Sequence, residues 1–231
     1  MQEEKQDQWA EMDRIIEEAK ARQTTETQAS TNGKKSGSAM SKPERLERWR
    51  EKLEYAWQRH GLDDEPQIVG KIAEAMADGK GVTLIGSVGA GKTKRLEAIA
   101  SVAGAEVFGA GELMRMTREL QEKFGEDTGF KMAMKTKKEE FSDAKDHALA
   151  IDDLGKEPPE MLSYGTRHDY MTEAIEERYN AWARRGWVTI FSTQMSPEEI
   201  RKRYPAHIAD RIGEMTVPVF LARRSRRESW L

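Results

Sequence analysis

Gly86-Ser87-Val88-Gly89-Ala90-Gly91-Lys92-Thr93 fits the pattern G-x-x-x-x-G-K-[ST] at every fixed position. The chemistry such a run can do is phosphate binding. Its glycines let successive backbone N–H groups turn toward a phosphate, and a following helix adds its positive N-terminus. Lys92 reaches the β/γ-phosphates of a nucleotide, and the Thr93 hydroxyl can ligate Mg²⁺. A second acidic feature completes such a site. Ala148-Leu149-Ala150-Ile151 ends in Asp152-Asp153, an apolar run delivering two carboxylates. Asp152 is suited to hold Mg²⁺ through water opposite Thr93, and Asp153 to orient or deprotonate a water attacking the γ-phosphate. The Asn-Lys-x-Asp pattern that recognises guanine is absent, since Asn32 and Asn180 are the only asparagines and neither precedes a lysine. ATP is therefore the expected nucleotide.

The elements around these residues come in the order the chemistry needs. Gly81-Val82-Thr83-Leu84-Ile85 reads as a short buried strand feeding the glycine loop. Thr93 to Val102 reads as a helix with Leu96, Ile99, Ala100 and Ala103 on one face. Ala105 to Phe108 reads as a strand, Ala110 to Phe124 as a helix, and Ala148 to Ile151 as a buried strand ending at the acidic pair. Thr166-Arg167-His168-Asp169 fits a capping box opening a helix that closes at Arg184-Arg185-Gly186. Trp187 to Ser192 reads as a strand, Ser196-Pro197-Glu198-Glu199 as a further capped helix start, residues 206 to 213 as a helix and Val217 to Leu221 as a last strand. Strands alternating with helices over residues 80 to 221 predict a mostly parallel sheet covered on both faces.

Upstream, residues 5 to 22 carry Trp9, Met12, Ile16 and Ala19 as a narrow apolar stripe among charges, a helix too short to be stable alone. Gln23 to Ser41 has the composition of a flexible linker. Helix character returns at Ser41-Lys42-Pro43-Glu44, with Leu46, Trp49, Leu53, Ala56 and Trp57 in a 3-4 stripe that Gly61 ends. Ile68, Ile72, Ala75 and Met76 suggest one more helix, closed by Asp78-Gly79. The division expected is residues 1–41 for a short amphipathic helix plus linker, 42–79 for a helical segment, and 80–231 for the nucleotide-binding domain.

Composition narrows the remaining classes. The 231 residues carry a net charge of −3 and are 34% charged, so no global electrostatic case for nucleic acid exists. Arginines do crowd the end, from Arg201 to Arg227, and Lys131, Lys135, Lys137 and Lys138 cluster around Phe130. The chain has no cysteine and only four histidines, which excludes disulfides and Cys-based zinc sites and leaves the nucleotide's Mg²⁺ as the expected metal. The opening residues are no signal peptide and no apolar run has membrane-spanning length. A cytoplasmic protein without membrane contact is the expectation.

The block ALAIDDLGKE, Ala148 to Glu157, resembles the Walker B block of the DnaC/IstB-type AAA+ ATPases, bacterial helicase loaders and transposition helpers. Further blocks agree in order. Glu177-Arg178-Tyr179 is similar to the family's E-R-Y helix, Thr189 to Ser196 to its sensor 1 strand, His207 to Glu214 to its D-R-[IL] box, and Leu221 to Arg227 to its closing L-x-x-x-S-x-R. The resemblance implies a five-stranded AAA+ sheet of order 5-1-4-3-2 without a C-terminal helical lid. It also implies Gln194 as the sensor 1 amide, Arg211 as an arginine finger completing a neighbouring subunit's site, and Arg227 as a second phosphate-sensing arginine. The family usually has Asn where Gln194 stands, and commonly Tyr where Arg226 stands.

The function implied first is a self-associating helicase loader whose N-terminal helices grip a replicative DNA helicase while the AAA+ domain binds single-stranded DNA, with the four clustered lysines as the contact. Either the first helix or the second, through Leu46, Trp49, Leu53 and Trp57, could make the grip. A transposition helper on duplex DNA, a small-metabolite kinase and a non-hydrolysing binding module are the rival classes.

Overall fold

The computed structural model describes residues 40–63, 65–125, 148–163 and 166–221. The amphipathic stripe of residues 5 to 22, the linker up to residue 39, the lysines around Phe130 and the closing segment with Arg227 lie outside the described residues. Among the described residues no helix is long and apolar enough to cross a membrane.

Helix α1 (Lys42–Arg59) begins where the sequence says it should. Ser41 Oγ accepts from the Glu44 amide while the Glu44 carboxylate accepts from the Ser41 amide at 2.7 Å, a complete capping box with Pro in the first turn. Helix α2 (Pro66–Ala77) follows and leads into strand β1 (Gly81–Ile85). Then come α3 (Lys92–Ala103), β2 (Glu106–Gly109), α4 (Ala110–Phe124) and β3 (Leu149–Leu154). A two-stranded antiparallel hairpin, β4 (Met161–Ser163) and β5 (Thr166–His168), precedes α5 (Tyr170–Arg185). Strand β6 (Thr189–Thr193), α6 (Pro197–Arg203), α7 (Ala206–Met215) and β7 (Thr216–Phe220) complete the described chain.

The main sheet has five strands, all parallel, in the order β2-β3-β6-β1-β7. Numbered among themselves and read from the β7 edge, these strands run 5-1-4-3-2, the order that the resemblance implied. Strands β1 and β6 lie at the centre and are buried at every residue, which is why they show no polar alternation. Pro218 sits in β7, an edge strand paired only with β1, where a missing N–H breaks no ladder. One face of the sheet, through Val82, Leu84, Ala150, Ile190 and Val219, packs on α1, α2 and α3. The other, through Leu149, Ile151 and Phe191, packs on α4, α5, α6 and α7.

Two sequence expectations change. Thr166 to Asp169 is not a capping box: Thr166 to His168 form a strand, and Asp169 is itself the N-cap of α5, its carboxylate accepting from the Thr172 amide at 3.1 Å and the Thr172 hydroxyl at 2.9 Å. The stripe of α1 is only half open to a partner. Leu53 and Trp57 are buried in the core they share with α2 and α3, and Leu46 and Trp49 pack against it. A shared core predicts a shared unfolding transition: Trp57→Ala should cost roughly 3–5 kcal/mol. In a denaturation experiment the whole nucleotide-binding fold should melt earlier, in one transition; a parental midpoint would contradict the packing.

Candidate nucleotide site

Parallel strands that all end on one edge deliver their loops to a common crevice, and the sequence-predicted residues that follow β1, β3 and β6 lie there. The loop Gly86 to Gly91 joins β1 to α3. Gly89 and Gly91 have positive φ, 80° and 75°. Gly91 is the N-cap of α3 and brings no side chain to cap it, so the first-turn amides face the loop. Ser87 and Val88 are exposed at the tip while Ala90 and Lys92 are buried. The Lys92 ammonium donates to the carbonyls of Gly86 at 2.8 Å and Ser87 at 2.9 Å, which holds the charge inside the loop's curve.

Strand β3 brings in the acidic pair. The strand does not end at the acidic pair, as the sequence suggested, but runs one residue further, to Leu154. Its register with β6 shifts between Ile151 and Leu154, and Asp153 lies in the left-handed region at φ 58°. A bulge of this kind turns side chains out of the pleat. Asp152 becomes the hub of the site. Its Oδ2 accepts from the Thr93 hydroxyl at 2.8 Å, and its Oδ1 accepts a short hydrogen bond from Ser192 of β6. Ser192 Oγ in turn accepts from the Asp153 amide at 3.1 Å. Phosphate loop, acidic strand and β6 are thus tied through one carboxylate. The Asp153 carboxylate is partly exposed and paired with Lys156 at 2.8 Å. Gln194, exposed, directly follows Thr193, whose carbonyl accepts from the Gly86 amide at 3.2 Å, so its backbone is one residue from the start of the glycine loop.

Hard oxygen donors from Thr93 and Asp152 suit a small divalent cation that takes its other ligands from phosphate and water. Among the described residues no three His, Cys, Asp or Glu side chains gather as a metal site of their own.

Arg211 is elsewhere. It lies on α7 in a close ion pair with Glu176 of α5 at 2.6 Å, and its guanidinium sits 5.1 Å from the centre of the Tyr179 ring. Tyr179 is fixed by donating to Glu214 at 2.6 Å. None of these partners belongs to the phosphate loop or to β3. Arg178, read from the sequence as part of a motif, is buried and donates to the Thr189 hydroxyl and the Val188 carbonyl, both at 2.9 Å, so it anchors the start of β6.

Sequence reasoning missed the support behind the acidic pair. Glu157, fully buried, accepts from the Gly155 amide at 2.7 Å, from Arg203 at 3.2 Å and from the Tyr204 hydroxyl. Arg203 also pairs with Asp169 at 3.3 Å. This cluster fastens the turn after Asp153 to the end of α6. The signal was Glu157 itself, an acidic residue closing an otherwise recognised block.

Burial, the charge of Glu157 and the hydrogen bond to it hold the Tyr204 phenol well above its ordinary value. An unfolded tyrosine ionises near pH 10, so this stability is complete below about pH 10 and is lost as pH rises beyond it toward the folded value. Tyr204→Phe should weaken the fold by about 1–2 kcal/mol at neutral pH and flatten the alkaline limb of a stability profile. A mutant profile parallel to the parent's above pH 10 would count against this assignment.

No protein-family model and no curated protein matches the sequence. Solved structures do match the fold. The replication initiator DnaA bound to AMPPCP and single-stranded DNA gives a TM-score of 0.50 at 16% identity, over 73% of this chain and 50% of that one. The DnaC helicase loader gives 0.45 at 23% identity, over 62% and 79%, and DnaI gives 0.47 at 22%, over 75% and 94%. The likeness is one of fold alone, a parallel five-stranded α/β sheet with helices on both faces.

Proposed function

We propose that the chain is an AAA+ ATPase of DNA replication that binds Mg·ATP at Gly86 to Thr93 and acts as a helicase loader. The observation that carries the nucleotide reading is the Asp152 hub, which joins Thr93 of the phosphate loop to the acidic strand and to β6 at one edge of the sheet. In this reading Lys92 swings from its loop carbonyls to the β/γ-phosphates. Thr93 and Asp152 would hold Mg²⁺, which would screen the charge of the phosphates. Asp153, next to a hydrogen-bonded backbone, takes the proton of the attacking water, and the Gln194 amide contacts the γ-phosphate. Arg211 serves the site of a neighbouring copy, and Arg227 contacts phosphate within its own.

The loader reading rests on the sequence blocks that resemble the DnaC/IstB type, and its partners are a replicative DNA helicase and single-stranded DNA. With Leu53 and Trp57 of α1 buried in the core, the grip falls to Trp9, Met12 and Ile16. Burying two or three such side chains, each worth about 1.5–3 kcal/mol before ordering costs, is consistent with micromolar binding. Deleting residues 1 to 40, which keeps the Ser41 cap of α1, should leave ATP binding and thermal stability near parental while weakening capture of the helicase in a pull-down. Full capture by the truncated chain would remove the N-terminal stripe from the mechanism, and no capture by the intact chain would remove the loader reading.

A further inference from the structure

The connection between α1 and α2 reaches the phosphate loop through one buried arginine. Arg95, on α3, is 3% exposed, and its guanidinium faces two ways. Nε and Nη2 donate to the two carboxylate oxygens of Glu65, at 2.9 and 2.6 Å. Nη1 donates to the carbonyls of Ala90 and Gly91, at 2.9 and 3.2 Å. Glu65 is the N-cap of α2 and also accepts from the Trp57 indole of α1 at 3.5 Å. Nearby, Lys94 donates to the carbonyl of Gly61 at 3.1 Å. The space is fully used, since a Cβ on Gly91 would stand 2.6 Å from Arg95 Nη1.

We infer that Glu65 and Arg95 are a positioning pair for the phosphate loop, worked from the helices that precede it. In a trans peptide the carbonyl and the next N–H point in opposite directions, and the described chain has no cis bond. Holding the carbonyls of Ala90 and Gly91 toward Arg95 therefore sets the N–H groups of Gly91 and Lys92 the other way, toward the concave side of the loop where a phosphate binds. The bidentate carboxylate fixes the guanidinium plane, which a single contact would leave free to rotate. Neither residue touches phosphate; they act through the loop's peptide planes. The consequence for ATP rests on the nucleotide reading above, whereas the clamp itself does not.

The test uses the full chain with Glu65→Leu and Arg95→Met together, so that no unpaired charge is left buried, beside Glu65→Ala alone. Hydrogen exchange without nucleotide should accelerate roughly tenfold or more at residues 86–93, with β3 and β6 amides at parental rates. Parental exchange in the loop overturns the inference, and so does uniform acceleration across β3 and β6, which marks a structural staple only. Titration with Mg·ATP should then show roughly tenfold weaker binding, the scale of one charge-assisted hydrogen bond. An unchanged ATP affinity despite a loosened loop overturns the positioning role. A parent that binds no ATP, with a variant loop that still exchanges faster, overturns the nucleotide reading while upholding the clamp.

Discussion

Lys92→Ala should leave a folded chain that no longer binds ATP at concentrations that saturate the parent. The ammonium is the one cation held within the curve of the loop among the described side chains, 2.8–2.9 Å from the Gly86 and Ser87 carbonyls. A charge-assisted contact to phosphate is worth up to about 3 kcal/mol, so affinity should fall by about a hundredfold or more. Asp153→Asn separates binding from chemistry. It keeps the shape of the bulge and should bind ATP normally, yet it removes the proton acceptor and should turn over very slowly. Calorimetric titration and phosphate release on both variants decide the point. Parental turnover by either would show that the residue is misassigned.

Arg211→Ala should cut turnover by a factor on the order of 10³ while leaving ATP affinity unchanged, because a finger supplied in trans stabilises charge that develops only in the transition state. The single chain already gives this arginine a carboxylate partner in Glu176 and an aromatic one in Tyr179. Loss of that surface contact must therefore be told apart from loss of a finger. Glu176→Ala breaks the same pair and leaves the guanidinium in place, so its turnover should stay at or above the parental value. Mixing Arg211→Ala with Lys92→Ala should restore part of the activity, since some interfaces then join an intact phosphate loop to an intact arginine. Equal losses in Glu176→Ala and Arg211→Ala, or no recovery in proven mixed assemblies, would place Arg211 in the fold and not in a shared site.

The phosphate loop and acidic strand were legible in the sequence because phosphate chemistry dictates residue types over a few adjacent positions. Glycines at 86, 89 and 91 and the Lys-Thr pair leave little choice of local structure. The strand order came with the family resemblance that the later blocks carry, not from any local pattern. What the sequence concealed depends on distant residues or on very short elements. Strands of three residues such as β4 and β5 carry no readable period, and Thr166 to Asp169 met a helix-capping pattern that the hairpin overrode. The bulge at Asp152 and Asp153 is set by pairing with β6, which adjacent residues do not encode. The stripe on α1 announced an apolar face without saying what covers it; contact with α2 and α3 supplied the answer. Glu65 and Arg95 lie on either side of β1, and no local rule joins a carboxylate before one helix to a guanidinium on the next.

The most direct test of the account is a structure of the full chain with Mg²⁺ and a non-hydrolysable ATP analogue. It should show the triphosphate cradled by Gly86 to Thr93, the Lys92 ammonium moved from the Gly86 and Ser87 carbonyls onto the β/γ-phosphates, and the metal held by Thr93 and, through water, by Asp152. Lys92 still bound to its own loop with the analogue lodged elsewhere, or no analogue bound at saturating concentration, would contradict it.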